Sequence, residues 1–207
     1  MSETQLALRC ERAGSEHAEG LLALFEAAGS GCYCNYWHFE GDKNAWLERC
    51  YVKPEENRTA LLARLAAPEL CGVVALVEER VSGWLKLAPA LTLSKLYAQK
   101  PYRGLPLLQG AEREHVYAVG CLYVSEGARE RGVAKALLDQ AIRAARDAGA
   151  SSLEAFPRGT PDGAKLRPDE IWTGPEALYL AAGFERVSDF RPYPVLRLHL
   201  HPASLAD

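Results

Sequence analysis

Apolar positions recur along the chain with two different periods, and their succession predicts a mixture of strands and helices. Leu21, Leu22, Leu24 and Phe25 share one side of a helix predicted over 16–28, with Gly29 after it as a stop. A short strand is expected at 5–9, and helices at 43–51 and 55–67, the second opening after Pro54. Residues 71–77 (CGVVALV) and 81–87 (VSGWLKL) are apolar and rich in β-branched residues. The charged step Glu78-Glu79-Arg80 separates them, which reads as a hairpin. Residues 115–124 (HVYAVGCLYV) are apolar on both alternating faces, Val116, Ala118, Leu122 and Val124 on one and Tyr117, Val119, Cys121 and Tyr123 on the other. Such a strand is covered on both sides and therefore central. Gly120 within it marks a bulge or a close approach by another group.

The clearest helical spacing follows, in Val133, Leu137, Leu138, Ala141, Ile142 and Ala145, with Gly149 at the C-cap position. A strand at 153–156, a short helix at 175–182 and strands at 184–187 and 195–200 complete the pattern. Helices and strands joined by both hairpins and crossovers predict an α/β or α+β class built on a mixed sheet. The stretch GCYCNYWHFEG at 31–41 is not assigned by its pattern.

Composition removes several functions. Lys+Arg 24 against Asp+Glu 27 gives a formal charge of −3, so a generally basic nucleic-acid binder is not expected. Apolar runs fall far short of the ~20 residues of a membrane span. MSETQLALRCER has no basic region leading into an apolar one, so no secretion signal is expected. The six cysteines are then expected to be reduced and the protein cytoplasmic. With no repeat or low-complexity linker, a single domain over 1–207 is the simplest organisation.

Between the central strand and the strong helix lies SEGARERGVAK, 125–135. Arg129, Arg131 and Lys135 gather positive charge where Gly132 enters the helix. The first turn of a helix carries unpaired N–H groups and the positive end of its dipole, and glycine there lets phosphate approach the backbone. An ordinary solvated loop is the competing reading, because Glu126 and Glu130 sit there too. The spacing fits neither a Walker loop nor a G-x-G-x-x-G fingerprint.

Arg129-Glu130-Arg131-Gly132-Val133-Ala134 resembles the (Gln/Arg)-x-x-Gly-x-(Gly/Ala) signature of the GNAT superfamily of N-acetyltransferases, here between an apolar strand ending in Val and an Ala/Leu-rich helix. Tyr179-Leu180-Ala181-Ala182-Gly183-Phe184 is similar to that family's Tyr-x-x-x-Gly-Phe step. The resemblance spans about 70–200. It implies a mixed, mostly antiparallel central sheet flanked by helices, with 71–200 as the core holding acetyl-CoA and 1–70 on the acceptor side. It also implies that backbone N–H groups of Arg131, Gly132, Val133 and Ala134 cradle the CoA pyrophosphate, with Arg129 and Lys135 adding charge. The strands at 115–124 and 153–156 would splay, and backbone groups of Leu122, Tyr123 and Val124 would meet the pantetheine and the thioester. Direct transfer to a primary amine of a small molecule or peptide is the implied reaction, with dimers expected only by analogy to the family. The combination CYCNYW, GWLKLAP, GCLYV and Arg-Pro-x-Pro-x-x-Arg-Leu at 191–198 also looks like a group of bacterial GNAT proteins.

Among candidate catalytic groups, Tyr179 occupies the family position whose phenol protonates the departing sulfur; a packed helix tyrosine is the alternative. Glu154, in the apolar LEAF, would deprotonate the amine or face solvent. Cys121 could relay the acetyl group but is expected to be a packing residue. Tyr33, Trp37 and Trp84 are candidates for an acceptor-pocket wall, against core packing. Cys32, Cys34, His38 and Cys50 or Cys10 would suit zinc, but C-x-C lacks knuckle spacing, so no metal is expected. A non-catalytic acyl-CoA sensor and a zinc-stabilised interaction protein are the alternative functions.

Overall fold

The computed structural model describes residues 7–99, 111–159, 167 and 170–200. Seven strands form one sheet: β1 Leu8–Arg12, β2 Gly72–Val77, β3 Arg80–Pro89, β4 Val116–Val124, β5 Ser152–Ala155, β6 Glu185–Ser188 and β7 Val195–His199. Their spatial order is β1-β2-β3-β4-β5-β7-β6. Every pairing is antiparallel except β4 with β5. Among the described residues seven α-helices accompany them: α1 Ala18–Ala27, α2 Lys43–Tyr51, α3 Pro54–Ala66, α4 Ser94–Tyr97, α5 Ala111–Glu114, α6 Val133–Asp147 and α7 Glu176–Ala181. The expected elements are present within a residue or two, except the first strand, expected at 5–9 and found at Leu8–Arg12; Gln5 and Leu6 lie outside the described residues.

The turn between β2 and β3 is a two-residue hairpin, with Val77 opposite Arg80 and both Glu78 and Glu79 at positive φ (+51° and +62°). That backbone twist suits the right-handed twist of the flanking strands. The sheet buries both faces. Against one lies α6, whose stripe of Val133, Leu137, Leu138, Ala141 and Ala145 packs on Val73, Ala75, Leu85 and Val119. Each fully buried leucine there contributes roughly 1.5–3 kcal/mol. Against the other lie α1 and α3, where Leu21, Phe25, Leu61 and Leu65 meet Val74 and Trp84. A third cluster, with Trp37, Leu93, Leu96, Ala118 and Phe156, fills the same side near β5 and β7.

β4 corrects the simple alternation. The register passes from Lys86↔Cys121 to Leu87↔Val119, so Gly120 is the extra residue of a bulge. One inserted residue inverts the parity of everything beyond it. Val119, Leu122 and Val124 therefore share the α6 face, while Ala118, Cys121 and Tyr123 face the other side. Both expectations for Gly120 hold: a Cβ there would lie 3.0 Å from Trp37 and 3.2 Å from Lys86.

Candidate active site

The parallel pairing of β4 with β5 runs only from Val116↔Ser152 to Val119↔Ala155. β5 ends there, while β4 continues to Val124. The sheet thus parts at the bulge, and a seam opens along the second half of β4. Its edge is backbone, and alternation points the N–H groups of Leu122 and Val124 into it. The Leu122 N–H donates to the Trp172 carbonyl at 2.8 Å.

A cavity of about 280 Å³ runs along this edge to the start of α6. Leu122, Tyr123, Val124, Arg129, Gly132, Val133 and Ala134 line it together, with Ile171 and Pro175 opposite. Seven of the nine residues expected to hold the coenzyme therefore converge on one space. Gly132 is the N-cap of α6 at φ +78°, and a Cβ built on it meets nothing within 4 Å. Its glycine is needed for the left-handed turn and leaves the amides of the first helical turn uncovered. The Arg129 Nε donates to the Val124 carbonyl at 3.1 Å, which fixes the guanidinium in the cavity wall. Arg131 is exposed beside Gly132, outside the cavity lining. Lys135 also stands outside, exposed, with its Nζ 2.6 Å from Asp139.

Two cavities lie on the other side of the seam. One, of about 470 Å³, shares Leu122, Tyr123 and Arg129 with the first and adds Phe25, Ser30, Cys32, Cys34, Cys121 and Trp172. The other, of about 250 Å³, is bounded by Tyr36, Trp37, Phe156, Trp172, Thr173 and Tyr193. Trp37 stacks on Trp172, centroids 5.4 Å apart, and its Nε1 donates to the Gly120 carbonyl at 2.8 Å. The indole is therefore anchored to the bulge itself. Trp172 and Tyr193 are residues the pattern did not single out; an isolated tryptophan in the Gly/Pro-bounded IWTGP was the available signal.

Tyr179 is fully buried against Phe184, and its hydroxyl donates to the Thr173 carbonyl at 2.6 Å. Burial, with the Cys121 thiol nearby, raises its pKa far above the ordinary phenol range, so it holds its proton. Three expectations need correction. Glu154 does not face solvent, and it is absent from the walls of these three cavities. It is completely buried, its Oε1 accepting from Arg197 Nη2 and Nε at 2.7 and 3.2 Å and its Oε2 from the Tyr97 hydroxyl at 2.5 Å. Glu154 and Arg197 are cross-strand partners on β5 and β7, so a carboxylate in an apolar strand finds a structural cation. Trp84 is fully buried edge-on to Phe25, and Tyr33 packs on the same ring from a left-handed turn (φ +41°). Both are core residues because α1 covers them; of the three acceptor candidates, Trp37 alone is in the wall of one of these three cavities. The His38 Nδ1 is paired with the Thr92 carbonyl at 2.9 Å, and among the described residues no group of three or more His, Cys, Asp or Glu is placed to hold a metal ion.

The sequence profile of the Acetyltransferase (GNAT) family matches residues 54–162, more than half of the chain. No curated protein matches. Among solved structures, yncA from Salmonella typhimurium, with its cofactor acetyl-CoA, superposes with a TM-score of 0.54 at 13% identity, covering 97% of this chain and 98% of that one. The paia N-acetyltransferase from Thermoplasma acidophilum, in complex with coenzyme A, gives 0.52 at 11% identity, covering 94% and 99%. An acetyltransferase of the GNAT family from Streptococcus pneumoniae gives 0.53 at 14% identity, covering 94% and 100%. At these identities the likeness is one of fold.

Proposed function

The chain belongs to the GNAT acetyltransferase family, and from that premise we propose that it transfers the acetyl group of acetyl-CoA directly to a primary amine of a small molecule or peptide. The observation that carries this reading is the cavity joining the open seam of β4 to the glycine-capped start of α6. A diphosphate suits the uncovered amides at Arg131 to Ala134, with Arg131 and Lys135 as flanking charge. The seam is bordered by backbone donors, which suit an extended amide-bearing arm.

In this reading the chain's own groups supply orientation and charge stabilisation. The Val124 and Leu122 N–H groups point where a thioester oxygen would develop negative charge. One such donor contributes about 3 kcal/mol in comparable sites. The Leu122 N–H is held by the Trp172 carbonyl and has to exchange partners to take part. Tyr179, kept protonated by burial, donates its proton to the departing sulfur after releasing Thr173. With Glu154 locked to Arg197 and Tyr97, no carboxylate lines either cavity on the acceptor side among the described residues. In this reading the acceptor amine arrives neutral or loses its proton to water. Juxtaposing amine and thioester accounts for most of the rate.

The test is release of free CoA thiol from acetyl-CoA across a panel of amines, with the acetylated product identified by mass. Acetyl-CoA binding without thiol release for any amine would refute transfer and leave a coenzyme sensor.

A further inference from the structure

We infer that Cys121 is a site of self-acetylation: with no amine present, its thiol takes the acetyl group by thioester exchange. The inference rests on the reading above, that the coenzyme's arm lies along the seam. Leu122 and Tyr123 belong to the walls of both the coenzyme cavity and the larger cavity opposite. Cys121 is the next residue along the same open edge, part-exposed, with its side chain on the acceptor side of the bulge. It is no isolated cysteine. Cys34 and Cys32 line the same cavity, and the Cys34 thiol is close enough to Cys121 for the two to influence each other.

Behind these thiols lies Lys86, the cross-strand partner of Cys121. It is 2% exposed, and its chain runs beneath Gly120. Among the described residues, the groups that act on its charge are Arg64, a like charge, and the thiols of Cys34, Cys71 and Cys121, with no carboxylate among them. An ammonium buried without a carboxylate is costly, and desolvation holds Lys86 down to about 8. The amine can therefore accept a thiol proton, and the resulting ammonium attracts the thiolate it creates. None of this is needed for transfer to an amine, which leaves the arrangement without a use in the main reaction.

The step balances without an oxidant or reductant. Cys121 gives its proton to Lys86 Nζ, and its sulfur forms a bond to the thioester carbonyl carbon. The carbonyl carbon's bond to the coenzyme sulfur breaks, that sulfur leaves with the electron pair, and Lys86 returns the proton to it. One thioester is exchanged for another, so the reaction is close to thermoneutral and reversible.

The experiment incubates the full chain with acetyl-CoA and no amine, follows intact mass and peptide maps, and measures acetyl-CoA binding by calorimetry in parallel. One acetyl group per chain is expected, on the peptide containing Cys121, removed by neutral hydroxylamine and reversed by excess CoA. Cys34→Ala keeps this label, Cys121→Ser loses it, and Lys86→Met slows its appearance about a hundredfold at undiminished coenzyme affinity. A chain that binds acetyl-CoA yet stays unlabelled at Cys121, or carries only hydroxylamine-resistant acetyl on Lys86, overturns the inference and leaves the proposed function standing. A chain that does not bind acetyl-CoA overturns both.

Discussion

Gly132 and Gly149 make a matched pair for testing the coenzyme cradle. They flank opposite ends of α6, a helix of 15 residues and therefore about 22 Å long. Their backbones are nearly identical, with φ +78° and +79°, and a Cβ at either meets nothing within 4 Å. Alanine at each position therefore costs the fold the same left-handed strain, about 1–2 kcal/mol, with no clash. Only Gly132 lines the cavity at the head of the helix. Gly132→Ala should then raise the Kd for CoA at least about tenfold, which is about 1.4 kcal/mol, and Gly132→Val should raise it further. Gly149→Ala should leave it within about twofold. Urea denaturation of the variants checks the equal loss of stability, and calorimetry reads the affinities. If Gly132→Ala binds as the wild type does, no phosphate lies against that backbone. If Gly149→Ala weakens binding equally, affinity is following stability, and the cradle argument fails.

Glu154→Gln should destabilise the protein by about 3–5 kcal/mol, because it takes the carboxylate from a buried Arg197; an intact denaturation midpoint with a shifted pH–rate limb would restore Glu154 as the base. The lowered pKa of Lys86, about 8 against 10.5 unfolded, means that the unfolded chain binds more protons between those values, so wild-type stability gains from rising pH there. The stability advantage of Lys86→Met over the wild type should accordingly shrink by about 3 kcal/mol from pH 8 to 10.5; a constant difference in chemical denaturation would contradict a buried amine. His38 is pushed down to about 3 by burial and by Lys86 and Arg64, so the unfolded chain takes up the proton first as pH falls below 6.5. His38→Gln should lose less stability than the wild type between pH 6.5 and 4.5, read as urea midpoints; parallel losses would refute it.

The frame was legible in the chain because its strongest signals are local. The apolar stripe of α6 and the two-faced β4 give the core, and the glycine-headed helix start gives one end of the cavity. What escaped depends on contacts between distant segments. The turns at 30–39 are held by Asn35 donating to the Asn57 carbonyl at 2.6 Å, Asn57 donating to the Gly31 carbonyl at 2.8 Å, and Arg64 bonded to Asn35. No periodicity encodes such an arrangement. Glu154 could be recognised as a carboxylate in need of a partner, but Arg197 becomes that partner only once β7 is known to lie beside β5. Trp84 and Tyr33 looked like pocket aromatics because sequence does not say that α1 closes over them. The parity of β4 was misread for a single reason: a bulge of one residue leaves composition untouched while turning every later side chain over.

The parting of the sheet has a consequence for how the molecule behaves among its neighbours. An unsatisfied strand edge on the outside of a protein invites other chains to add themselves to it. Here the comparable edge lies inside, walled by α6 on one side and α1 on the other, with the Trp172 segment across it. Enclosed in this way, the donors of Leu122 and Val124 face the cavity rather than the surface. The same vulnerability that promotes aggregation when exposed is, once enclosed, kept from other chains.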